Sequence, residues 1–201
     1  MEVALYFGSF NPPHCGHAAI AEYLHRKAGY DEVWIVLSPQ NPFKEKQPQE
    51  IEGLRLSMVR QWVGTVPYLH LCTIEFEMER PSYTYLTLRR LRATELQHRF
   101  SLVMGADSLA AFPRWREAGE IAMNHDLVVY PREGYSMVEG MEILQRICPE
   151  ASVTCLDAPV FPFSSTAVRE AVAQGKDASG MVPPSVWLFI QSHNLYHYII
   201  N

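Results

Sequence analysis

Short, nearly continuous apolar runs alternate along the chain with longer segments whose apolar residues recur at helical spacing. The runs at 3–7, 32–37, 68–74, 100–104, 126–129 and 152–156 read as strands. Helical spacing fills 18–28, 51–63, 85–94, 107–112, 137–147, 166–173 and 185–192. Regular β-α alternation predicts a parallel sheet with helices on both faces, and strands without a polar alternate suit burial on both sides. The pattern shows no internal repeat and no low-complexity linker. A polar, proline-dotted stretch at 38–50 follows the second strand, so a parallel sheet would put it on the same edge as the loop after the first strand.

Composition narrows the class. A length of 201 residues suits one domain spanning 1–201, with a small C-terminal helical part from about 164 to 201. The chain is 48% apolar and 19% charged, and it contains no apolar run of the ~18–20 residues that a membrane span needs. No basic leader precedes the first strand, so a cytoplasmic protein without a membrane partner is expected. Cys15, Cys72, Cys148 and Cys155 lack paired metal-site spacing and are too few for a disulfide framework. A net charge of −5 argues against nucleic acid as a partner, but a phosphate pocket needs only local positive potential.

Candidate chemistry concentrates where the first strand hands over to a helix, at Gly8-Ser-Phe-Asn-Pro-Pro-His-Cys-Gly-His17. Helix N-termini at such junctions offer unpaired N–H groups to anions. Gly8 allows positive φ or a close approach of the backbone, Pro12 and Pro13 stiffen the turn, and Gly16 leaves room for a phosphate. His14 and His17 add donors at the same place. The alternatives are a turn with two surface histidines, or a metal site of His14, Cys15 and His17. No distant Cys/His pair completes a tetrahedral set for the latter.

A second signal is Ser164-Ser-Thr-Ala-Val-Arg169. Ser164, Ser165 and Thr166 can cap a helix, and Arg169 follows about one turn in, where a guanidinium can fork onto phosphate oxygens. Taken alone, this reads first as an ordinary capped helix with a solvated arginine, and its weight comes from pairing with the first motif.

Together, Gly-x-Phe-x-Pro-x-His-x-Gly-His at 8–17 and Ser-Ser-Thr-x-x-Arg at 164–169 resemble the nucleotidyltransferases of the histidine/glycine-motif superfamily. Ser38-Pro-Gln-Asn-Pro-Phe-Lys44, Arg80-Pro-Ser-Tyr-Thr84, the segment from Met104 to Trp115 and the tail from Val182 to Tyr196 narrow the likeness to bacterial nicotinate-nucleotide adenylyltransferases. The similarity runs in order over nearly the whole chain. It implies a Rossmann-like α/β sheet and transfer of AMP from ATP to nicotinate mononucleotide, giving deamido-NAD and pyrophosphate in NAD biosynthesis. Mg²⁺ would be bound mainly through the ATP phosphates, with no metal site built from protein ligands.

On this resemblance His14, His17, Arg169 and Lys44 are the catalytic set. Gly8, Ser9, Phe10, Gly16, Gly105, Asp107, Ser164, Ser165 and Thr166 bind ATP. Ser82, Tyr83, Thr84, Trp115 and Arg116 bind the nicotinate nucleotide. The residues suit the chemistry. A phosphate monoester with a second pKa of about 6 is already a nucleophile, so the protein has to hold two polyanions and stabilise developing charge. Helix starts at His17 and Thr166 would add N–H groups.

Ser82–Thr84 precede a helix, a natural place to hold a carboxylate. Trp115 would stack on the pyridine ring, although packing in the core is an equal reading of the residue alone. Asp107 would accept from ribose hydroxyls, cap a helix, or both. Two positions depart from the commonest pattern of the family: Asn11 stands where an acid often precedes Pro12, and Phe43 where a histidine often precedes Lys44. A relative with another acceptor and a non-catalytic nucleotide sensor are the rival readings, and oligomeric state, a homo-oligomer included, is open. His193 and His197, four apart on a terminal helix, and His70 with Cys72 on one strand face read as packing or surface. Arg89, Arg90 and Arg92 read as a solvated helix face.

Overall fold

Strand residues divide by alternation between two apolar layers. The computed structural model describes residues 1–39 and 49–197. Its strands are β1 (Glu2–Gly8), β2 (Glu32–Leu37), β3 (Leu69–Cys72), β4 (Arg99–Gly105), β5 (Asp126–Tyr130) and β6 (Val153–Cys155). They form one sheet in the order β3-β2-β1-β4-β5-β6, and each pairing among the described residues is parallel. The helices are α1 (Cys15–Arg26), α2 (Gln49–Val63), α3 (Thr84–Thr94), α4 (Ala106–Ala111), α5 (Ala118–Asn124), α6 (Met137–Ile147), α7 (Ser165–Ala173) and α8 (Pro184–Ser192).

Ala4 and Tyr6 of β1 face a layer that contains Ile20 and Leu24 of α1, Met58 and Trp62 of α2, Val168 of α7 and Ile190 of α8. Val3 and Leu5 face the other layer, with Leu88 of α3, Leu109 of α4, Ile121 of α5 and Leu144 of α6. A sheet buried on both sides explains the uninterrupted apolar runs. The C-terminal helices share the first layer with β1 and β2, so their core is continuous with that of the sheet.

The strand order reverses between β1 and β4, because connections run outward from β1 to β2 and β3 on one side and from β4 to β6 on the other. A crevice opens at the carboxyl ends of the strands where the order reverses, and ligands bind there in open α/β sheets. Gly8 ends β1 and Gly105 ends β4, so both lie at that crevice. The Ser38 N–H donates to the Gly8 carbonyl at 3.0 Å, which places the chain leaving β2 on the same edge, as expected.

Several boundaries differ from the sequence reading. The third strand is shorter than 68–74, because the chain turns at Thr73 into a 3-10 helix, Ile74–Glu77, that buries Glu75. α5 lies in a segment that carries no helical signal: it is seven residues long, contains Gly119 and lacks a side-chain cap. Burial of Ala118, Ile121 and Ala122 holds it. α8 stops at Ser192, so His193 and His197 do not share a helix, and the His193 ring packs on Phe189 with centroids 3.9 Å apart.

Candidate active site

The turn after β1 is built around Phe10. This residue has φ of +43° and is buried, its ring lying edge-on to Tyr6 at 5.7 Å and to His17 at 4.9 Å. Positive φ in a bulky residue persists only where packing holds it. A Cβ on Gly8 would come within 2.9 Å of the Phe10 ring, so Gly8 is required by a close approach, and Phe10 takes the left-handed conformation.

His14 is the N-cap of α1, which therefore begins at Cys15 rather than at 17 or 18. The His17 N–H donates to His14 Nδ1 at 3.3 Å and the His14 N–H donates to His17 Nδ1 at 3.1 Å, a reciprocal capping box made by two imidazoles. Their rings stack with centroids 3.6 Å apart. A ring nitrogen that accepts a backbone N–H carries no proton, so an imidazole capping in this way places a proton on Nε2 and is a donor there. Burial first, and then the cation of Arg132, push the His14 imidazole down to about 4, so this ring is neutral at physiological pH.

The expected helix start changes here. The His17 N–H is engaged by the cap, so the helix start offers anions the N–H groups of Cys15 and Gly16 instead. A Cβ on Gly16 would meet the His14 ring at 3.0 Å and Phe161 at 3.4 Å, so the missing side chain makes room for the imidazole.

The second motif docks onto the first. Ser164 caps α7 by accepting the Ala167 N–H at 3.1 Å, and α7 starts at Ser165. The Ser165 hydroxyl donates to the Pro12 carbonyl at 2.8 Å. Arg169 donates through Nη1 to the Asn11 carbonyl at 2.7 Å and through Nη2 to the exposed Thr166 hydroxyl at 3.3 Å. The two serine hydroxyls thus build the junction, and the half-exposed Arg169 both braces the turn and keeps further N–H groups for a ligand. Tyr196 donates to Asn11 Oδ1 at 2.7 Å, tying the C-terminal turn to the same residue.

At the β4 edge Gly105 is the N-cap of α4 and makes no side-chain cap bond. Asp107 is the second residue of that helix, so it is not the cap. Its carboxylate instead lies 3.6 Å from Arg132 Nε. A Cβ on Gly105 would collide with the Asp107 carboxylate and the Arg132 side chain. Beneath this edge the Tyr6 and Tyr130 hydroxyls lie 3.4 Å apart.

On the acceptor side Tyr83 is the N-cap of α3 and Thr84 its first residue. The Arg116 guanidinium lies 5.1 Å from the Tyr83 ring centroid and 5.9 Å from that of Tyr85, which joins the 83–85 and 115–116 segments. Trp115 is half-buried and its ring lies 5.4 Å from Phe112, so it stands at the rim of the core. Ser82 is buried and its hydroxyl donates to Glu75 at 2.7 Å, so its side chain holds the start of α3 in place. Lys44 and Phe43 lie outside the described residues.

Four contributors were missed by sequence reasoning: Arg132, Glu75, Tyr196 and Arg55. Arg132 follows β5 on the crevice edge and had a usable signal in that position alone. Arg55 is buried and donates to the carbonyls of Ser9 at 2.6 Å, Ser38 at 3.0 Å and Pro39 at 2.9 Å, which joins the ends of β1 and β2. Nothing in the helical pattern around Arg55 points to that role.

A reversal in strand order, two helix N-termini facing one turn and paired imidazole donors define a phosphate-binding α/β protein of the nucleotidyltransferase kind. The family model described as cytidylyltransferase-like matches residues 5–171. A protein of Flavobacterium johnsoniae named "Probable nicotinate-nucleotide adenylyltransferase" is 38% identical over 198 residues, covering 98% of this chain and 99% of its own. One of Bacteroides fragilis with the same name is 38% identical over 186 residues, 92% of this chain and 89% of its own. Among solved structures, Plasmodium falciparum nicotinic acid mononucleotide adenylyltransferase complexed with NaAD superposes with a TM-score of 0.77 at 16% identity, over 100% of this chain and 99% of that one. The chain belongs to the nicotinate-nucleotide adenylyltransferases of the cytidylyltransferase-like family.

Proposed function

We propose that this protein transfers AMP from ATP to nicotinate mononucleotide, giving deamido-NAD and pyrophosphate. The observation that carries the reading is the docking of Ser165 and Arg169 onto the carbonyls of Pro12 and Asn11, beside the stacked His14 and His17. The arrangement gathers two imidazole donors, one guanidinium and two helix starts at the sheet crevice. That donor set suits a polyphosphate. Family relatives bearing the enzyme's name over nearly their whole length supply the acceptor.

In this reading the acceptor's phosphate oxygen forms a bond to the α-phosphorus of ATP, and the bond from that phosphorus to the leaving pyrophosphate oxygen breaks. No base is required, because the monoester is largely dianionic at neutral pH, with a second pKa of about 6. The protein's work is alignment and stabilisation of charge. His14 and His17 donate from Nε2 to phosphate oxygens, as the capping box supports. His14 is neutral over the working range and gives a hydrogen bond without passing a proton. Arg169 and Lys44 neutralise the β- and γ-phosphates, and Asp107 accepts from the ribose.

Among the described residues no group of three or more His, Cys, Asp or Glu side chains could hold a metal ion. Both imidazoles use Nδ1 for the cap, and imidazole is a poor ligand for Mg²⁺ beside phosphate oxygens. In this reading Mg²⁺ enters with the MgATP substrate, bound mainly through the ATP phosphates. No helix among the described residues is long and apolar enough to cross a membrane.

The test is product identity. Purified protein with MgATP and nicotinate mononucleotide should yield deamido-NAD and pyrophosphate in equal amounts, by mass spectrometry and a coupled pyrophosphate assay. Pyrophosphate without a dinucleotide would overturn the reading.

A further inference from the structure

The start of α3 is held by a device that the substrate reading does not use. Glu75 is 2% exposed, yet its carboxylate accepts two short hydrogen bonds: the Ser82 hydroxyl at 2.7 Å on Oε2 and the Thr87 hydroxyl at 2.8 Å on Oε1. Ser82 and Thr87 are themselves 4% and 0% exposed. Relative to the Tyr83 N-cap, Ser82 is the residue before the cap and Thr87 the fourth residue of the helix. Those two positions are the ones joined by a hydrophobic staple, which fixes the angle at which the chain enters a helix. Here the staple is polar, and one buried carboxylate makes both of its contacts.

The device also sets which N–H groups face outward. The Leu86 and Thr87 N–H groups close on the Tyr83 carbonyl at 2.9 and 3.3 Å. Among the described residues this leaves the Thr84 and Tyr85 N–H groups at the head of the helix, where the N-cap Tyr83 makes no side-chain cap bond. A pair of adjacent N–H groups matches the two oxygens of a carboxylate, and their direction depends on the entry angle of the chain. The 3-10 helix that carries Glu75 follows β3, so the staple ties α3 to the edge of the sheet.

We propose that Glu75 is a positioning residue for acceptor specificity: through Ser82 and Thr87 it aims the first N–H groups of α3 at the carboxylate of the nicotinate ring. The inference rests on the adenylyltransferase reading. Glu75 touches neither substrate and acts only through the geometry of the helix start. Its loss therefore affects the acceptor and leaves ATP alone, because the residues proposed to contact ATP on helices sit at α1, α4 and α7 and not at α3.

The experiment uses Thr87→Val, which keeps the shape and the branching of the residue while removing the hydroxyl, together with Glu75→Gln and the conservative Thr87→Ser. Initial rates are measured against each substrate, and thermal melts run in parallel. Thr87→Val should raise the KM for nicotinate mononucleotide about tenfold and shrink the preference over nicotinamide mononucleotide, while the KM for ATP stays within about twofold. Thr87→Ser should restore the wild-type value. Equal changes in both KM values, or none, in a folded Thr87→Val protein would overturn the inference while leaving the activity standing. Wild-type protein that makes no dinucleotide would overturn the activity reading and this inference with it. Should Glu75→Gln fail to fold, the Thr87 pair still decides the matter.

Discussion

Arg169 Nη1 donates to the main-chain carbonyl of Asn11 at 2.7 Å across 158 positions of sequence. This bond makes two distant motifs into one site. It also gives Arg169 two duties, bracing the turn and meeting phosphate, which a substitution series separates. Arg169→Ala should lower kcat/KM by about 10²–10³-fold, the scale of losing a donor that stabilises developing charge. Arg169→Lys keeps the charge but loses the planar fork, and should recover only part of it. Steady-state kinetics on folded variants decides the point, and near-wild-type turnover in Arg169→Ala would remove the residue from the mechanism.

The imidazole capping box separates a structural from a chemical role for His14. Asparagine is a strong N-cap, so His14→Asn should keep α1 capped, with a change in Tm of a few degrees, while removing the Nε2 donor. A fall in kcat of about 10²-fold is expected. His17→Ala loses both the donor and half of the box, and should lower kcat severely while the protein stays folded.

His14 also makes a pH prediction. Its folded value of about 4 lies below the 6.5 of a free imidazole, so the unfolded chain binds more protons between these limits. Stability from this group is therefore complete above about pH 6.5 and is lost as pH falls toward 4. The loss is on the order of 2–3 kcal/mol at the lower limit. Denaturant melts of the wild type and His14→Asn between pH 7 and 4 should show a shallower acid slope in the variant.

Arg132 is the second cause of the His14 depression, after burial. Arg132→Gln should therefore raise the pH at which His14 titrates, by less than the burial contribution. It should also weaken ATP, because the cation faces Asp107 at the β4 edge. Imidazole resonances followed by NMR across pH 3–7 report the first effect, and the KM for ATP the second.

Much of this was legible because it is local. β2 and α6 fall on the predicted limits: β2 is a bare apolar run, and α6 has a Ser136 cap and one clear apolar face. The motif around His14 and His17 announces itself because proline, glycine and histidine sit at a strand-helix junction. What the sequence hid depends on closure of the fold. Glu75 looks like one more surface acid until the 3-10 helix buries it against Ser82 and Thr87. Tyr196 reads as tail until it reaches Asn11, and Arg55 as a helix cation until it meets three carbonyls. Gly16 was legible as a glycine that matters, but its reason, the His14 ring, appears only in three dimensions. α5 was missed because packing alone, with no cap or periodicity, makes it a helix.

The chemistry turns on an acceptor that bears a ring carboxylate. The most direct measurement is kcat/KM for nicotinate and nicotinamide mononucleotides with saturating MgATP, followed by pyrophosphate release. An amide would turn its own N–H₂ toward the N–H groups of α3 and leave donors facing donors, and sites that lose a required hydrogen bond in this way reject analogues strongly. A preference of about 10²-fold or more for nicotinate mononucleotide is expected, with no pyrophosphate release in the absence of acceptor. Equal kcat/KM for the two acceptors, or release from ATP alone at the same rate, would contradict it.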